Sequence, residues 1–390
     1  MALNGNGNGA NGKQKDPVLV VIQLSGGNDF MNTVVPYTEG MYYDVRPLVG
    51  IPEDQVIPIT DKVGFHPRAS ALKEIWDEGK VAIVQGIGYA NSSRSHFRAM
   101  DIWHTCEPDT IATEGWLAKV IREFDPNSEN PVTAVNFGRG LPRALAAPNV
   151  TATSIGDLDN YGLMSSIEVV DERDENLEIF KRMYTPAVGS GLVMDYLGQT
   201  GRDVLKGADM LAVAPEMYKS NVEYADNPIA QALRDVVRVH TANLGTRIFY
   251  TNHLGYDHHA QEMPAHNKLI GELSEAIRDF LQDLRDHDAA EEVTILVFTE
   301  FGRRIKDNGS GTDHGSGGGA FLIGEHVKGG LYSEYPPLDR PNWLNDEDLR
   351  HTYDFRGMYG TILEQWFGLD PVPIVGGSFE QLQPYEKTLV

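Results

Sequence analysis

Residues 247–324 read RIFYTNHLGYDHHAQEMPAHNKLIGELSEAIRDFLQDLRDHDAAEEVTILVFTEFGRRIKDNGSGTDHGSGGGAFLIG, and apolar runs alternate with polar stretches along them. After the run from Ile248 to Tyr250, large apolar side chains recur every three or four residues, a spacing that is typical of a helix. The run from Val293 to Phe298 is continuous, as in a parallel strand that is buried on both faces. This alternation predicts an α/β sandwich with a mostly parallel central sheet.

Side chains that can bind a metal ion follow the predicted strands of this stretch. They are Asp257, His258, His259, Glu300, Asp313 and His314. Ligands of such folds bind at the carboxyl ends of the strands, so we expect these groups to converge on one edge of the sheet. Carboxylate oxygen and neutral imidazole nitrogen together suit a divalent ion. The sequence therefore predicts a metal-assisted site.

The composition of the chain narrows the class of partner. The chain has 390 residues, 41% of them hydrophobic, which is enough for a substantial core. Its net charge of -23 argues against a nucleic-acid partner, because such binding depends on Lys and Arg neutralising phosphates. No apolar run reaches the roughly 18 residues of a membrane span, so no membrane partner is expected. The single cysteine, Cys106, can form no intramolecular disulfide.

Residues 1–16 are rich in Gly and Asn and are predicted to form a disordered tail. They contain neither the apolar segment nor the paired arginines of an export signal, so the expected location is cytoplasmic. An exported protein from which a leader had been removed would have the same features. Residues 17–390 are predicted to form one domain, with a helical insertion at about 163–243. Packing is the favoured role of this insertion, and a lid over the site is the alternative.

A Gly-rich turn follows the first predicted strand. The run VLVVIQL ends at Ser25, and Gly26 and Gly27 then allow the sharp turn that would present Asp29 at the edge of the sheet. In the alternative interpretation, Asn28 and Asp29 only cap the turn with their own side chains.

A second group of polar residues follows the predicted strand Val81–Val84. Ser95 is a candidate nucleophile, and Arg94 or His96 could bind an anion at the start of the helix that follows. A hydroxyl at a helix start is commonly an N-cap, and Ser92 or Ser93 could be only that, so residue types alone leave the two interpretations equal.

Several motifs along the chain resemble those of one protein family. They include LSGGNDFMNTVVPY, SRSHFRAMDIW, GYDHHAQ, TEFGRR, NGSGTDHGSGGGAFLIG and DFRGMYGTILEQWFG. The chain resembles domain-of-unknown-function family 1501, a sulfatase-like branch of the alkaline phosphatase superfamily, from about residue 17 to about residue 368. The resemblance implies an alkaline-phosphatase-like, three-layer α/β/α sandwich. It also implies one or two divalent ions, for which we expect zinc, manganese or calcium.

The resemblance further implies roles for individual residues. The expected metal ligands are Asp29, Asp257, His259, Glu300 and His314, and further candidates for the site are Asn28, His96, His258, Arg303 and Asp313. Ser95 matches the position of the nucleophile, and Arg94 is expected to hold the oxygens of a small anionic ester. Arg304 is expected to be solvated.

The chain departs from the family pattern at Glu300, where Glu-Phe-Gly replaces an Asp-His-Gly triplet and removes a histidine ligand. A second metal would then be weak or absent, unless Asp313-His314-Gly315 takes the place of that triplet. The leading hypothesis is a metal-dependent hydrolase of phosphate or sulfate esters. The alternatives are a noncatalytic binding or structural protein that keeps the fold, and a phosphomutase-like transferase. The oligomeric state does not follow from the sequence.

Overall fold

The computed structural model of the chain describes residues 15–159, 206–345 and 347–386, together with 172, 175, 176, 178, 179 and 203. The strands of the described ranges are β1 (Val18–Ser25), β2 (Val34–Val35), β3 (Ile57–Pro58), β4 (Gly64–Phe65), β5 (Val81–Gly88), β6 (Ala134–Phe137), β7 (Thr153–Ile155), β8 (Ile248–Leu254), β9 (Val293–Phe298), β10 (Arg303–Asp307), β11 (Thr312–His314), β12 (Gly318–Gly324), β13 (Gly330–Tyr332) and β14 (Tyr353–Asp354). Nine of them form the central sheet, which has the order β13-β5-β12-β9-β1-β8-β6-β7, with β14 paired to β5 beside this path.

The α-helices of the described ranges connect these strands. They are α1 (Phe30–Thr33), α2 (Gly40–Val45), α3 (Ser70–Asp77), α4 (His96–Thr105), α5 (Trp116–Phe124), α6 (Ala214–Met217), α7 (Pro228–Thr241), α8 (Glu262–Asp286), α9 (Phe355–Thr361) and α10 (Val372–Val375). A π-helix at Ile362–Trp366 continues directly from α9. The helices of the described ranges include none that is both long and apolar enough to cross a membrane.

The sheet is parallel except at one strand. Strand β1 pairs in parallel with β8 and β9, and β6 pairs in parallel with β7 and β8. Strand β12 is antiparallel to both of its neighbours, β5 and β9, so β5 runs in the same direction as β9. The carboxyl ends of β1, β5, β8 and β9 therefore lie along the same edge.

Both faces of the sheet are covered, which makes three layers. Val20 and Ile22 of β1 point to one face, where they join a core that includes residues of α3, α7 and α8. Leu19 and Val21 point to the other face, where α4, α5 and α9 complete a second core. Because successive side chains of a strand alternate between the faces, a strand covered on both sides is apolar throughout. The predicted α/β sandwich with a mostly parallel sheet is confirmed.

The predicted domain organisation coincides only partly with the described residues. The predicted tail falls almost wholly on residues 1–14, and much of the predicted helical insertion falls on 160–205, outside the described ranges. Within the described part of that insertion lie α6 and α7, and α7 packs its apolar face against α8. Asn227 caps α7 by accepting a hydrogen bond from the amide of Ala230.

Candidate metal centre

Three imidazole rings converge on the carboxylate of Asp257 at the carboxyl edge of the sheet. Nε2 of His314 lies 3.0 Å from Asp257 Oδ1, Nε2 of His259 lies 3.1 Å from the same oxygen, and Nε2 of His96 lies 3.4 Å from Oδ2. The two nitrogens of His259 and His314 are only 2.9 Å apart. Each ring thus directs the same atom, Nε2, at the carboxylate of Asp257.

The opposite nitrogen of each ring is held by an oxygen atom. Nδ1 of His96 lies 2.8 Å from Glu300 Oε1, and Nδ1 of His259 lies 3.1 Å from Asp313 Oδ1. Nδ1 of His314 lies 2.8 Å from the backbone carbonyl oxygen of residue 94. Carboxylate and carbonyl oxygens only accept hydrogen bonds, so with a cation at Nε2 the proton of each neutral ring would lie on Nδ1. The lone pair then lies on Nε2, and histidine ligands of metals are held in the same way.

This arrangement fits a cation. With the proton on Nδ1, the Nε2 atoms of His259 and His314 and the Oδ1 atom of Asp257 are three acceptors about 3 Å from one another. Nε2 of His96 is buried and has no hydrogen-bond partner. Acceptors packed so closely repel one another unless a positive charge lies among them. His96, Asp257 and His314 offer ligand atoms that all lie within 4.8 Å of one another.

The turn after β1 lies so close to the site that residues 26 and 27 have no room for a side chain. Gly26 has a φ of 123°, and a Cβ atom there would lie 2.4 Å from the backbone nitrogen of Asp257. Gly27 has a φ of 80°, and a Cβ atom there would lie 2.4 Å from the ring of Phe301. That ring in turn packs against His96 and His314, with centroid distances of 4.9 and 4.8 Å. The two glycines therefore let the chain approach the site closely.

Arg303 holds the carboxylate of Asp257 with a hydrogen bond. Its buried guanidinium donates to Asp257 Oδ1 at 2.8 Å and to the carbonyl oxygens of Gly26, Gly27, Tyr256 and Thr312. Burial by itself would raise the pKa of Asp257, but the hydrogen bond from Arg303 and the charge of its guanidinium hold that pKa below its usual value. The carboxylate is thus kept ionised, while most donors of Arg303 are used by the protein itself.

The comparison with protein families gives one match. The sequence profile described as "Protein of unknown function (DUF1501)" matches residues 109–371, well over half of the chain. The chain belongs to the DUF1501 family. The predicted family is therefore confirmed, and no curated protein matches the sequence.

The solved structures that resemble this chain share little sequence identity with it. A protein in the alkaline phosphatase superfamily from Vibrio parahaemolyticus shares 12% identity, with 93% of this chain and 70% of that chain covered and a TM-score of 0.40. The C-terminal periplasmic domain of EcEptC from Escherichia coli shares 10% identity, with 95% and 88% covered and a TM-score of 0.42. The PsFucS1 sulfatase from Pseudoalteromonas sp. shares 10% identity, with 94% and 69% covered and a TM-score of 0.41. Similarity this remote assigns no role to a residue of this DUF1501 protein.

Of the predicted metal ligands, Asp29 lies in a different cluster. It is buried and forms an ion pair with Arg46, 17 residues further along the chain. Burial would raise the pKa of Asp29, but the charge of Arg46 lowers it below its usual value. Beside this pair, burial and the charge of Asp29 raise the pKa of Glu262. The structure therefore gives Asp29 a cationic protein partner, and its predicted role as a metal ligand stays a prediction.

Glu300 contacts the centre through His96. It is buried, and its Oε1 atom also accepts a hydrogen bond from the amide of Gly26 at 2.9 Å. The other predicted ligands, Asp257, His259 and His314, lie together at the convergence point. The geometry thus brings His96 into the centre and places Glu300 behind it, as the group that orients this ring.

Two further candidates, Asn28 and His258, are buried away from the convergence point. The amide of Asn28 donates to Thr299 Oγ1, and its side-chain oxygen accepts from Thr33, so it shapes the turn. Burial lowers the pKa of His258 to about 4, and its ring packs against His266. Neither side chain has a described contact with the three converging imidazoles.

Ser95 is the residue immediately before His96 and the N-cap of α4. Its side chain is exposed and makes no capping hydrogen bond, while Ser93 Oγ accepts a hydrogen bond from the amide of Ser95 at 3.2 Å. Arg94 donates twice to Asp348, at 3.1 and 2.7 Å, and Arg304 pairs with Glu347 at 2.6 Å. The side chain of Arg94 remains 36% exposed, which leaves part of its guanidinium accessible.

A cavity of about 870 Å³ opens beside the centre, and several of its residues carried no signal in the sequence. Its walls include His96, Asp257 and Glu300 together with Ser25 and His104. Ser25 ends β1 and donates a hydrogen bond of 3.3 Å to Asn252. Its place directly before the glycine turn was the only available signal. His104 showed none, because its position on the inner face of α4 depends on how that helix packs.

Proposed function

We propose that this protein is a metal-dependent hydrolase of small anionic phosphate or sulfate esters. The supporting observation is the convergence of three Nε2 atoms on Asp257, with each Nδ1 atom already held by an oxygen. The potential metal-ligand atoms of these side chains lie close together, and they lie beside a cavity large enough for a small substrate. The resemblance to a sulfatase-like family agrees with this chemistry.

His96, Asp257, His259 and His314 would hold one divalent ion. Three imidazoles and one carboxylate are ligands typical of zinc and also suit manganese, whereas calcium prefers oxygen ligands. We therefore favour zinc or manganese among the ions that the sequence suggested. Such an ion supplies a Lewis acid that stabilises negative charge on the ester oxygens.

The residues around the centre would bind and orient the ester. Ser95 Oγ lies on the residue next to a ligand and is the proposed nucleophile. The exposed part of the Arg94 guanidinium would contact the equatorial oxygens of the ester group. The backbone amides at the start of α4, which is ten residues long, add partial positive charge on the same side. This local positive charge would attract an anion despite the acidic composition of the chain.

The test combines metal analysis with a panel of phosphate and sulfate monoesters. We expect about one equivalent of zinc or manganese per chain, hydrolysis of at least one ester, and loss of both in Asp257→Asn and His314→Ala. His326→Ala is the matched control, because His326 pairs with Glu291 and follows the carboxyl end of the antiparallel strand β12, at the opposite edge. A chelator should lower the melting temperature of the wild type, and added metal should restore it.

The experiment can fail in two ways, and each failure contradicts a different part of the proposal. Metal binding without turnover of any ester would replace the hydrolase by a noncatalytic metal-binding protein of the same fold. A melting temperature that is indifferent to chelator, zinc and manganese would contradict the metal centre itself.

A further inference from the structure

The cavity beside the metal centre is lined partly by residues of α4. His96, Asp257 and Glu300 belong to its polar lining, and Phe97, Met100 and Ile111 form an apolar wall. A substrate whose ester group lies at the metal centre would place its remaining part against this wall.

Two large apolar side chains of this wall are presented to solvent. Phe97 is 93% exposed and Ile111 is 78% exposed, the highest values among the large apolar residues of the described ranges. Single exposed apolar residues are common on protein surfaces, but these two line the same cavity as His96 and Asp257 of the candidate metal centre. Covering them with an apolar group would remove their surface from water.

The loop that carries Ile111 is held in place by two arginines. Arg98 donates to the carbonyl oxygens of residues 107, 108 and 110 at 3.2, 2.7 and 2.9 Å, and Arg143 donates to that of residue 112. Both arginines also pair with Asp101 on α4. The loop and the helix are thereby tied together, so the wall exists before a substrate binds.

The same contacts occupy donors of both guanidinium groups. The guanidinium groups of Arg98 and Arg143 direct donors to Asp101 and to the loop carbonyls, while His104 in the same cavity is neutral because burial lowers its pKa to about 3. Apolar contact with Phe97 and Ile111 is a further source of binding energy that this wall offers.

We propose that the ester carries an extended apolar group on its alcohol side, and that Phe97 and Ile111 bind this group. The inference rests on the proposed function for the position of the ester group. It adds the class of substrate, which is an apolar alcohol esterified to phosphate or sulfate.

The test measures binding of two probes that cannot be hydrolysed, ethylphosphonate and hexylphosphonate, to the zinc-loaded protein by calorimetry. One fully buried methylene is worth about fourfold in affinity, and hexylphosphonate has four more than ethylphosphonate. Because the cavity is open, we expect hexylphosphonate to bind about tenfold more tightly. Phe97→Ser and Ile111→Ser should each remove most of this preference and change the affinity for ethylphosphonate by less than about twofold.

Leu48→Ser is the matched control, because Leu48 is also an exposed apolar residue, at 64%, and does not line the cavity. It should keep the full preference for the longer chain. Equal affinity for the two probes, no binding of hexylphosphonate, or a preference that survives both cavity variants would overturn the proposal. A chain-length preference in a protein that hydrolyses no ester would support the apolar subsite and contradict only the hydrolase. Hydrolysis of esters without such a preference would support the hydrolase and contradict only the apolar subsite.

Discussion

Oε1 of Glu300 lies 2.8 Å from Nδ1 of His96 and also accepts the amide hydrogen of Gly26 at 2.9 Å. One buried carboxylate oxygen thus joins the end of β9, the start of α4 and the turn after β1. The hydrogen bond from His96 to Glu300 raises the pKa of that imidazole, against the opposing effect of burial. Glu300 therefore orients the ring whose other nitrogen faces Asp257.

Replacing Glu300 with Gln should weaken metal binding while keeping the shape of the site. The amide is neutral, so Nδ1 of His96 loses its ionic partner and the ring becomes a poorer and less ordered ligand. We expect the affinity for zinc to fall by about 10- to 100-fold, measured by competition with a chelator of known affinity. Glu334→Gln, an exposed substitution, should leave the affinity unchanged. Unaltered affinity in Glu300→Gln would contradict the orienting role of Glu300.

Replacing Ser95 with Ala should abolish ester turnover if its hydroxyl is the nucleophile. The side chain is exposed and makes no capping bond, so the free energy of unfolding should change by less than about 0.5 kcal/mol. Ser25→Ala is the comparison, because Ser25 is the serine at the end of β1 that lines the cavity. Turnover that survives Ser95→Ala and disappears in Ser25→Ala would move the nucleophile to Ser25.

Arg303→Met should destabilise the protein strongly. The buried guanidinium donates to four carbonyl oxygens and to Asp257, and its loss removes a donor from each of these acceptors. We expect a loss of about 3 kcal/mol or more in the free energy of unfolding, measured by urea titration of the metal-free protein. Arg304→Met should cost at most about 1 kcal/mol, since Arg304 is partly exposed and its main partner is Glu347. Equal costs for the two variants would contradict a supporting role for Arg303.

The pH dependence of stability should contain a contribution from His104. This ring is buried, its Nε2 atom lies 3.0 Å from Gln23 Oε1 and 3.1 Å from the Tyr250 hydroxyl, and burial lowers its pKa from 6.5 to about 3. Between pH 6.5 and pH 4.5 the unfolded chain therefore binds a proton that the folded protein does not bind. The resulting stability is present above pH 6.5 and is lost as the pH falls towards 3, by about 1.4 kcal/mol per pH unit.

His104→Gln removes this titration. The slope of unfolding free energy against pH, measured by urea titration at pH 6.5, 5.5 and 4.5, should be smaller in this variant by about 1 kcal/mol per unit. His326→Gln, at a partly exposed histidine, should keep most of the wild-type slope. The same slope in His104→Gln as in the wild type would show that His104 is protonated in the folded protein at these pH values.

Local pattern in the sequence determined most of the fold and much of the composition of the site. Continuous apolar runs identify strands that are covered on both faces, and β1, β5, β8 and β9 follow them closely. Because parallel strands end at one edge, the residues after β8 and β9 could be expected to meet there. The structure places Asp257, His259 and His314 together at that edge.

Only the tertiary structure decided which polar groups pair. His96 and Glu300 are 204 residues apart, and their contact depends on how α4 packs beside β9. Asp29 was predicted to be a metal ligand. The structure pairs it with Arg46, which is 17 residues further along the chain. Side-chain partners of this kind are set by distances between elements remote in sequence, which local periodicity does not encode. The sequence therefore determined which side chains reach the edge of the sheet, and packing determined whether each one faces the centre or supports it.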